Sequence, residues 1–296
     1  MSKKLVAILV IGILAILITL GVNRGIEQYN QDMMKTSDNG IGLGVDDSEK
    51  DRLDIDALVQ SFDPAKGEVI IRYEFSPQGE YSDEFGRFKR KIIIETNSEQ
   101  GNIEFKKGEW PKVTYATYKI FDGILANYPY DVHSLTIDLI PYSYLAGQQE
   151  EDAESVPVNM SVKGTSSGLK LEFKELPPEK DFKELAGCYC SYEIKASRST
   201  ATKGTAVFVI IMLWMMSLSV VAITLTVVIG GRKLEFGSFA WIGAMLFAFF
   251  SFRSAAPGIP PIGGYFDFVS FFWVLLLVAL CLVVLVATYI VRKEAK

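Results

Sequence analysis

The chain has 296 residues, a net charge of −5, and 49% hydrophobic residues. Asn23 to Lys203 holds 32 acidic against 22 basic residues, and the remainder is basic by five. That acidic block excludes the basic patch nucleic-acid binding needs, and three cysteines with one histidine exclude a disulfide framework and most histidine-based zinc sites.

Four apolar stretches bracket the polar block. They are Leu5–Val22, Ala206–Ile229, Phe236–Phe252 and Phe268–Val291, and none contains a charged side chain. A helix that crosses the hydrocarbon needs roughly 20 mostly apolar residues, with about 17–25 acceptable. All four qualify, so the expected architecture is one transmembrane helix, a polar domain and three further transmembrane helices. Lys3, Lys4, Arg232, Lys233, Arg292, Lys293 and Lys296 all fall on one side if the N-terminus is cytoplasmic. Among short-loop basic residues only Arg253 falls on the other side. This orientation predicts a multi-pass protein of the plasma (inner) membrane with both termini inside and residues 23–203 extracytoplasmic.

Residues 1–22 read as an uncleaved anchor. A cleaved signal peptide fits Lys3-Lys4, but the apolar run exceeds the usual 7–15 or so residues and no A-x-A-like site follows. Residues 23–50 read as a flexible linker. Their Gly40, Gly42 and Gly44 spacing lacks the preceding strand and following helix of a nucleotide-binding fingerprint.

Residues 51–203 alternate with period two. Leu53, Ile55, Ala57 and Val59 form one apolar face; Val69, Ile71, Tyr73 and Phe75 another; Leu135, Ile137 and Leu139, then Val156 to Val162, then Leu169, Leu171 and Phe173 follow suit. Further strands fit Phe88–Glu95, Asn102–Lys106 and Lys112–Ile120. Eight or nine short strands separated by turn residues predict an antiparallel β-sandwich, with Asp152–Ser155 and Pro177–Glu184 as loops or a short helix. On the last strand Cys188 and Cys190 share a face at a separation too long for an easy disulfide, so buried free thiols are the expectation and a redox pair the alternative. This strand runs almost directly into the first of the three C-terminal helices.

Residues 204–296 form the three-helix membrane domain. Ser217 with Thr224, and Ser219 with Thr226, lie seven apart and share helix faces; packing contacts are expected and a hydroxyl-lined pore is the alternative. Ala240, Ala244 and Ala248, near Gly237, predict a close helix contact. The turn between the last two helices is the most unusual stretch. Pro257, Gly258, Pro260, Pro261 and Gly263 make it stiff and apolar, and Arg253 and Asp267 stand at its ends where they can pair. Closure of the bundle is the expected role, ahead of partner docking. Tyr128, Pro129 and Asp131 mark a second candidate turn, inside the polar domain.

The Pro-Gly-Ile-Pro-Pro-Ile-Gly run with downstream Asp267, together with Asp63-Pro64-Ala65-Lys66-Gly67-Glu68, Ser76-Pro77-Gln78-Gly79 and Tyr128-Pro129-Tyr130-Asp131, resembles a bacterial family of four-span membrane proteins catalogued as domain of unknown function 4436. The resemblance covers most of the chain from Leu53 onward. It implies topology and brings no activity. Tyr128-Pro129-Tyr130-Asp131 also resembles the Phe-Pro-Phe-Asp signature of pentameric ligand-gated channels. The flanking cysteines of that loop are absent here, and one span precedes the domain.

No G-x-S-x-G, Walker loop or metal-ligand spacing appears in the sequence, so neither enzyme nor cofactor is expected. The expected function is a non-enzymatic interaction or sensing module in the lipid bilayer, binding an envelope protein or a small ligand. The alternative is a homo-oligomeric channel lined by the second span.

Overall fold

The computed structural model describes residues 41–44, 49–144, 153–177, 188–232, 236–258 and 260–294, with scattered positions between 20 and 30. Apart from Leu20, the expected first span lies outside the described residues, as does most of Pro177–Glu184. The chain forms two compact units. One is β-rich and runs to Ile124 and from Val132 to Ser199; the other is helical and joins Leu125–Asp131 to Thr200–Lys296.

The β-rich unit contains strands β1 (Ile41–Gly44), β2 (Leu53–Asp63), β3 (Glu68–Pro77), β4 (Lys91–Thr96), β5 (Ile103–Phe105), β6 (Thr114–Lys119), β7 (Val132–Tyr144), β8 (Glu154–Ser155), β9 (Val158–Gly164), β10 (Leu169–Glu175) and β11 (Cys190–Arg198). They build two sheets, ordered β1-β9-β2-β3-β6 and β10-β11-β7-β4-β5, with β8 beside β7. Alternate residues of both sheets fill one core, as the period-two pattern requires. Phe75 of the first sheet meets Phe105 of the second edge to face at 5.0 Å, and Phe105 stacks on Phe88 at 4.3 Å. The buried Tyr73 and Tyr118 hydroxyls bond each other at 2.8 Å, and burial pushes the Tyr118 phenol up to about 12.

Several details depart from the sequence expectation. The sheets are mostly antiparallel, but β2 and β9 pair in parallel. Ile41–Gly44, within the expected linker, pairs with Asn159–Val162 of β9. Glu154–Ser155, expected in a loop, is a short strand on Tyr142 and Ser143. A bulge between Val59 and Ser61 resets the alternation of β2 and turns Phe62 into the core. Gly164 lies beside Val59 in the parallel pair, where a Cβ would come within 2.6 Å of the Val59 Cβ.

Strand β7 continues through Pro141. Val156 donates to the Pro141 carbonyl at 3.0 Å, so that edge of β7 faces away from β4. The β11 pairing has already ended at Leu139, so on that edge the missing proline N–H forgoes only the reciprocal bond to Val156. Cys188 and Cys190 are free thiols, as residues half-buried where burial was expected, although the Cys190 thiol itself is withdrawn from water; Cys281 is buried.

The helical unit contains α1 (Thr200–Val228), α2 (Phe236–Ser254) and α3 (Phe272–Glu294), the last preceded by a π-helical turn at Asp267–Phe271. Thr200–Val228 and Asp267–Val291 are long and apolar enough to cross a membrane. At 1.5 Å per residue α1 is about 43 Å long. Its buried stripe is Thr202, Ala206, Val209, Leu213, Ser217, Val220, Thr224 and Val227, spaced three or four apart. Its outward face is also apolar, with Phe208, Ile211, Met215 and Leu218 exposed. On α2 the inward positions are Ile242 and Phe249, whereas Ala240 and Ala244 are exposed and Ala248 is half-buried, so among the described residues Ala240 and Ala244 do not mark a close helix contact.

Candidate functional site

The α2–α3 turn is closed by one ion pair. Arg253 donates through Nε to Asp267 Oδ1 at 2.7 Å and through Nη2 to Oδ2 at 2.8 Å. The same Nη2 reaches the Pro260 carbonyl at 3.1 Å, and the Gly263 N–H donates to Asp267 Oδ2 at 2.9 Å. Arg253 is 8% exposed and Asp267 0%. Removing two charges from water is costly, and bidentate geometry plus extra donors offsets that cost. The Asp267 carboxylate accepts three N–H groups and stands at the N-terminal end of the π turn leading into α3, where the helix dipole favours an anion. The Arg253 guanidinium also lies over the Phe271 ring, 5.8 Å from its centroid.

The sequence explains the path between the two charges. Gly258 and Gly263 have φ of +78° and +82°, which L side chains rarely adopt. Pro260 is buried, and Pro261 accepts the Gly264 N–H at 3.3 Å. The chain therefore folds back over the ion pair with its carbonyls turned inward, and Ile262 projects outward.

The second candidate turn belongs to this same unit. The Tyr128 hydroxyl donates to the Pro257 carbonyl at 2.6 Å, and its buried ring meets Phe266 edge to face at 5.9 Å. Tyr130 pairs similarly with Tyr265 at 6.3 Å. A Cβ on Gly264 would come within 2.9 Å of the Ala126 carbonyl oxygen, so a glycine there permits the close approach. The Tyr128–Pro129 peptide is cis, Pro129 and Asp131 are buried, and Tyr128 N–H returns to Leu125 O at 3.1 Å.

The structure thus brings together two groups of residues that the sequence presents 120 or more positions apart. Arg253, Pro257, Pro260, Gly263 and Asp267 form the clamp, and Tyr128 seats the loop on it. Sequence reasoning missed Phe266, Gly264 and Phe271. The Gly263-Gly264 doublet was the available signal for a close backbone approach. Ser217 and Thr224 lie on the buried stripe of α1, whereas Ser219 and Thr226 are exposed and bond their own helix carbonyls. The Ser217 hydroxyl has no hydrogen-bond partner among the described residues.

The Asp267 oxygens and the Nε and Nη2 groups of Arg253 are used on one another and on backbone groups, an arrangement suited to holding a shape. Residues 198–292 match the family described as Domain of unknown function (DUF8686), and residues 43–186 match the family described as Domain of unknown function (DUF4436). No match is found among curated proteins. The second stretch spans most of the two-sheet unit and the Tyr128 loop, and it is this stretch, residues 43–186, that belongs to the DUF4436 family.

Proposed function

We propose that the protein is a non-enzymatic sensing module of the plasma membrane. Its outer β-sandwich binds an envelope protein or small ligand, and the Tyr128 loop carries the response to the membrane helices. The observation that carries this reading is the Tyr128–Pro257 hydrogen bond with the Tyr128–Phe266 ring contact. Leu125–Asp131 is built into the helical unit, yet the chain leads from it directly into β7, and only Ser199 separates β11 from α1. Strain in the strands therefore has short covalent routes to the helices.

Apolar residues on both the buried and the exposed faces of α1 favour a lipid surround. Arg253, the one short-loop basic residue against the orientation rule, is neutralised by Asp267 and so carries no free flanking charge. With that exception removed, the lysines and arginines favour four spans with both termini cytoplasmic. Burial of Ser217 and Thr224 against the other helices favours packing over a pore lined by α1.

Hydrogen exchange on the full chain in nanodiscs tests the proposal. Leu135→Ala on β7 loosens the sheet core, since Leu135 is buried. Exchange at Ala255–Gly264 should rise, and adding Tyr128→Ala should abolish that response while the sheet stays loosened. A turn indifferent to Leu135→Ala would reduce the β-unit to a static cargo.

A further inference from the structure

The edge of β6 is open where its neighbours invite pairing. Thr117 donates its N–H to Gln100 Oε1 at 2.7 Å and accepts the Glu99 N–H at 2.8 Å, so its backbone faces away from β3. Tyr115, two residues earlier on the same strand, faces the same way by the strand period. The 98–102 loop closes the edge at Thr117, and among the described residues nothing pairs with the Tyr115 N–H or C=O. A cleft of about 210 Å³ opens there, lined by β5, β6 and this loop, including Gln100, Asn102, Glu104, Lys112, Thr114 and Tyr115.

The segment that leads from β5 into β6 has the composition of an interaction surface. Trp110 is 61% exposed and Tyr115 53%, with Val113 exposed between them. Exposed Trp and Tyr beside a concavity are the residue types that dominate protein interfaces. Lys106 and Lys107 are exposed; Lys106 also acts electrostatically on Glu109, whose salt bridge at 2.9 Å is to Lys112. The β-unit is acidic as a whole, but screening at physiological ionic strength acts over about 8 Å. Glu104 in the cleft is offset by Lys91 and Glu109 by Lys112, so Lys106 and Lys107 leave the local balance positive.

We propose that the open edge of β6 takes an acidic extended peptide as an added strand. The Tyr115 N–H and C=O supply the main-chain pairing, Trp110 and Tyr115 hold alternate apolar side chains, and Lys106 and Lys107 select carboxylates. This rests on reading the outer unit as an interaction module and names the class of its partner. A lipid headgroup would use the lysines but has no need of the strand edge.

The test is selection of ten-residue peptides from a random phage-displayed library on the full chain in nanodiscs, followed by affinity measurement on one synthetic winner. Enriched sequences should alternate apolar residues with Asp or Glu. Tyr115→Pro, which removes the N–H at an edge position, should weaken binding at least tenfold. Lys106→Glu with Lys107→Glu, a surface change that leaves the fold alone, should do the same. No enrichment over empty nanodiscs, winners without alternation, or unchanged affinity in both variants would overturn the proposal. Binding of anionic vesicles that depends on the lysines and ignores Tyr115→Pro, with no peptide winner, would replace it with a lipid surface. Because the readout lies at β6, failure here leaves the exchange response at the α2–α3 turn standing or falling by itself.

Discussion

Removing one member of the Arg253–Asp267 pair should damage the helical unit far more than removing both. In Asp267→Asn the bulk is kept, but a buried guanidinium loses its counter-charge, and one of three N–H donors faces an amide NH₂. Breaking a buried pair from one side costs about 3–5 kcal/mol, chiefly the penalty of an uncompensated buried charge. At about 1.4 kcal/mol per decade, the unfolded fraction should rise by roughly 10²- to 10⁴-fold. Arg253→Met combined with Asp267→Leu removes the charge penalty and keeps apolar volume, so its cost should fall well below the sum of the single variants. The assay is reversible unfolding of the full chain in bicelles titrated with sodium dodecyl sulfate, read by helical circular dichroism and organised as a double-mutant cycle. Single-variant costs under about 1 kcal/mol, as for an exposed pair, would refute the argument. So would a double variant equal to the sum of the singles.

Other outcomes follow from the same structure. Tyr128→Phe removes the donor to Pro257 but keeps the ring on Phe266, and should cost about 1 kcal/mol in the same titration. Ser217→Ala should leave the unit unchanged or up to about 1 kcal/mol more stable, because the buried hydroxyl it deletes has no partner among the described residues; a clear loss of stability, or altered ion conductance in planar bilayers, would instead favour a functional hydroxyl. Burial, reinforced by nearby Glu175, pushes the Cys190 thiol up to about 12. At pH 8 it should therefore react with iodoacetamide more slowly than an unfolded-chain thiol. The folded state holds this proton more tightly than the unfolded one, so the stability linked to it is present below about pH 8.5 and is lost as pH rises toward 12. Cys190→Ala should blunt the alkaline loss measured by chemical denaturation.

Much of the β-unit is legible in residue order because burial on one sheet face imposes period two. Leu53 to Val59, Val69 to Phe75 and Leu135 to Leu139 are all buried on the faces their alternation names. The parallel β2–β9 pair is not legible, since both pairing senses need the same alternation. The bulge at Val59/Ser61 and the extension of β7 through Pro141 are set by what lies on the neighbouring strand.

The sequence by itself determined that apolar helices accompany a two-sheet unit, because length and unbroken hydrophobicity are local properties. It also marked Arg253 and Asp267 as the ends of a stiff turn, because proline and glycine restrict the backbone wherever they stand. Only the tertiary structure decided that Tyr128 seats on Pro257, a contact across 129 positions. It likewise decided that Ala240 and Ala244 face outward while Ser217 faces in. The reason is the same in each case: a helix or loop presents several faces of similar composition, and which one is covered depends on the partner that packs against it.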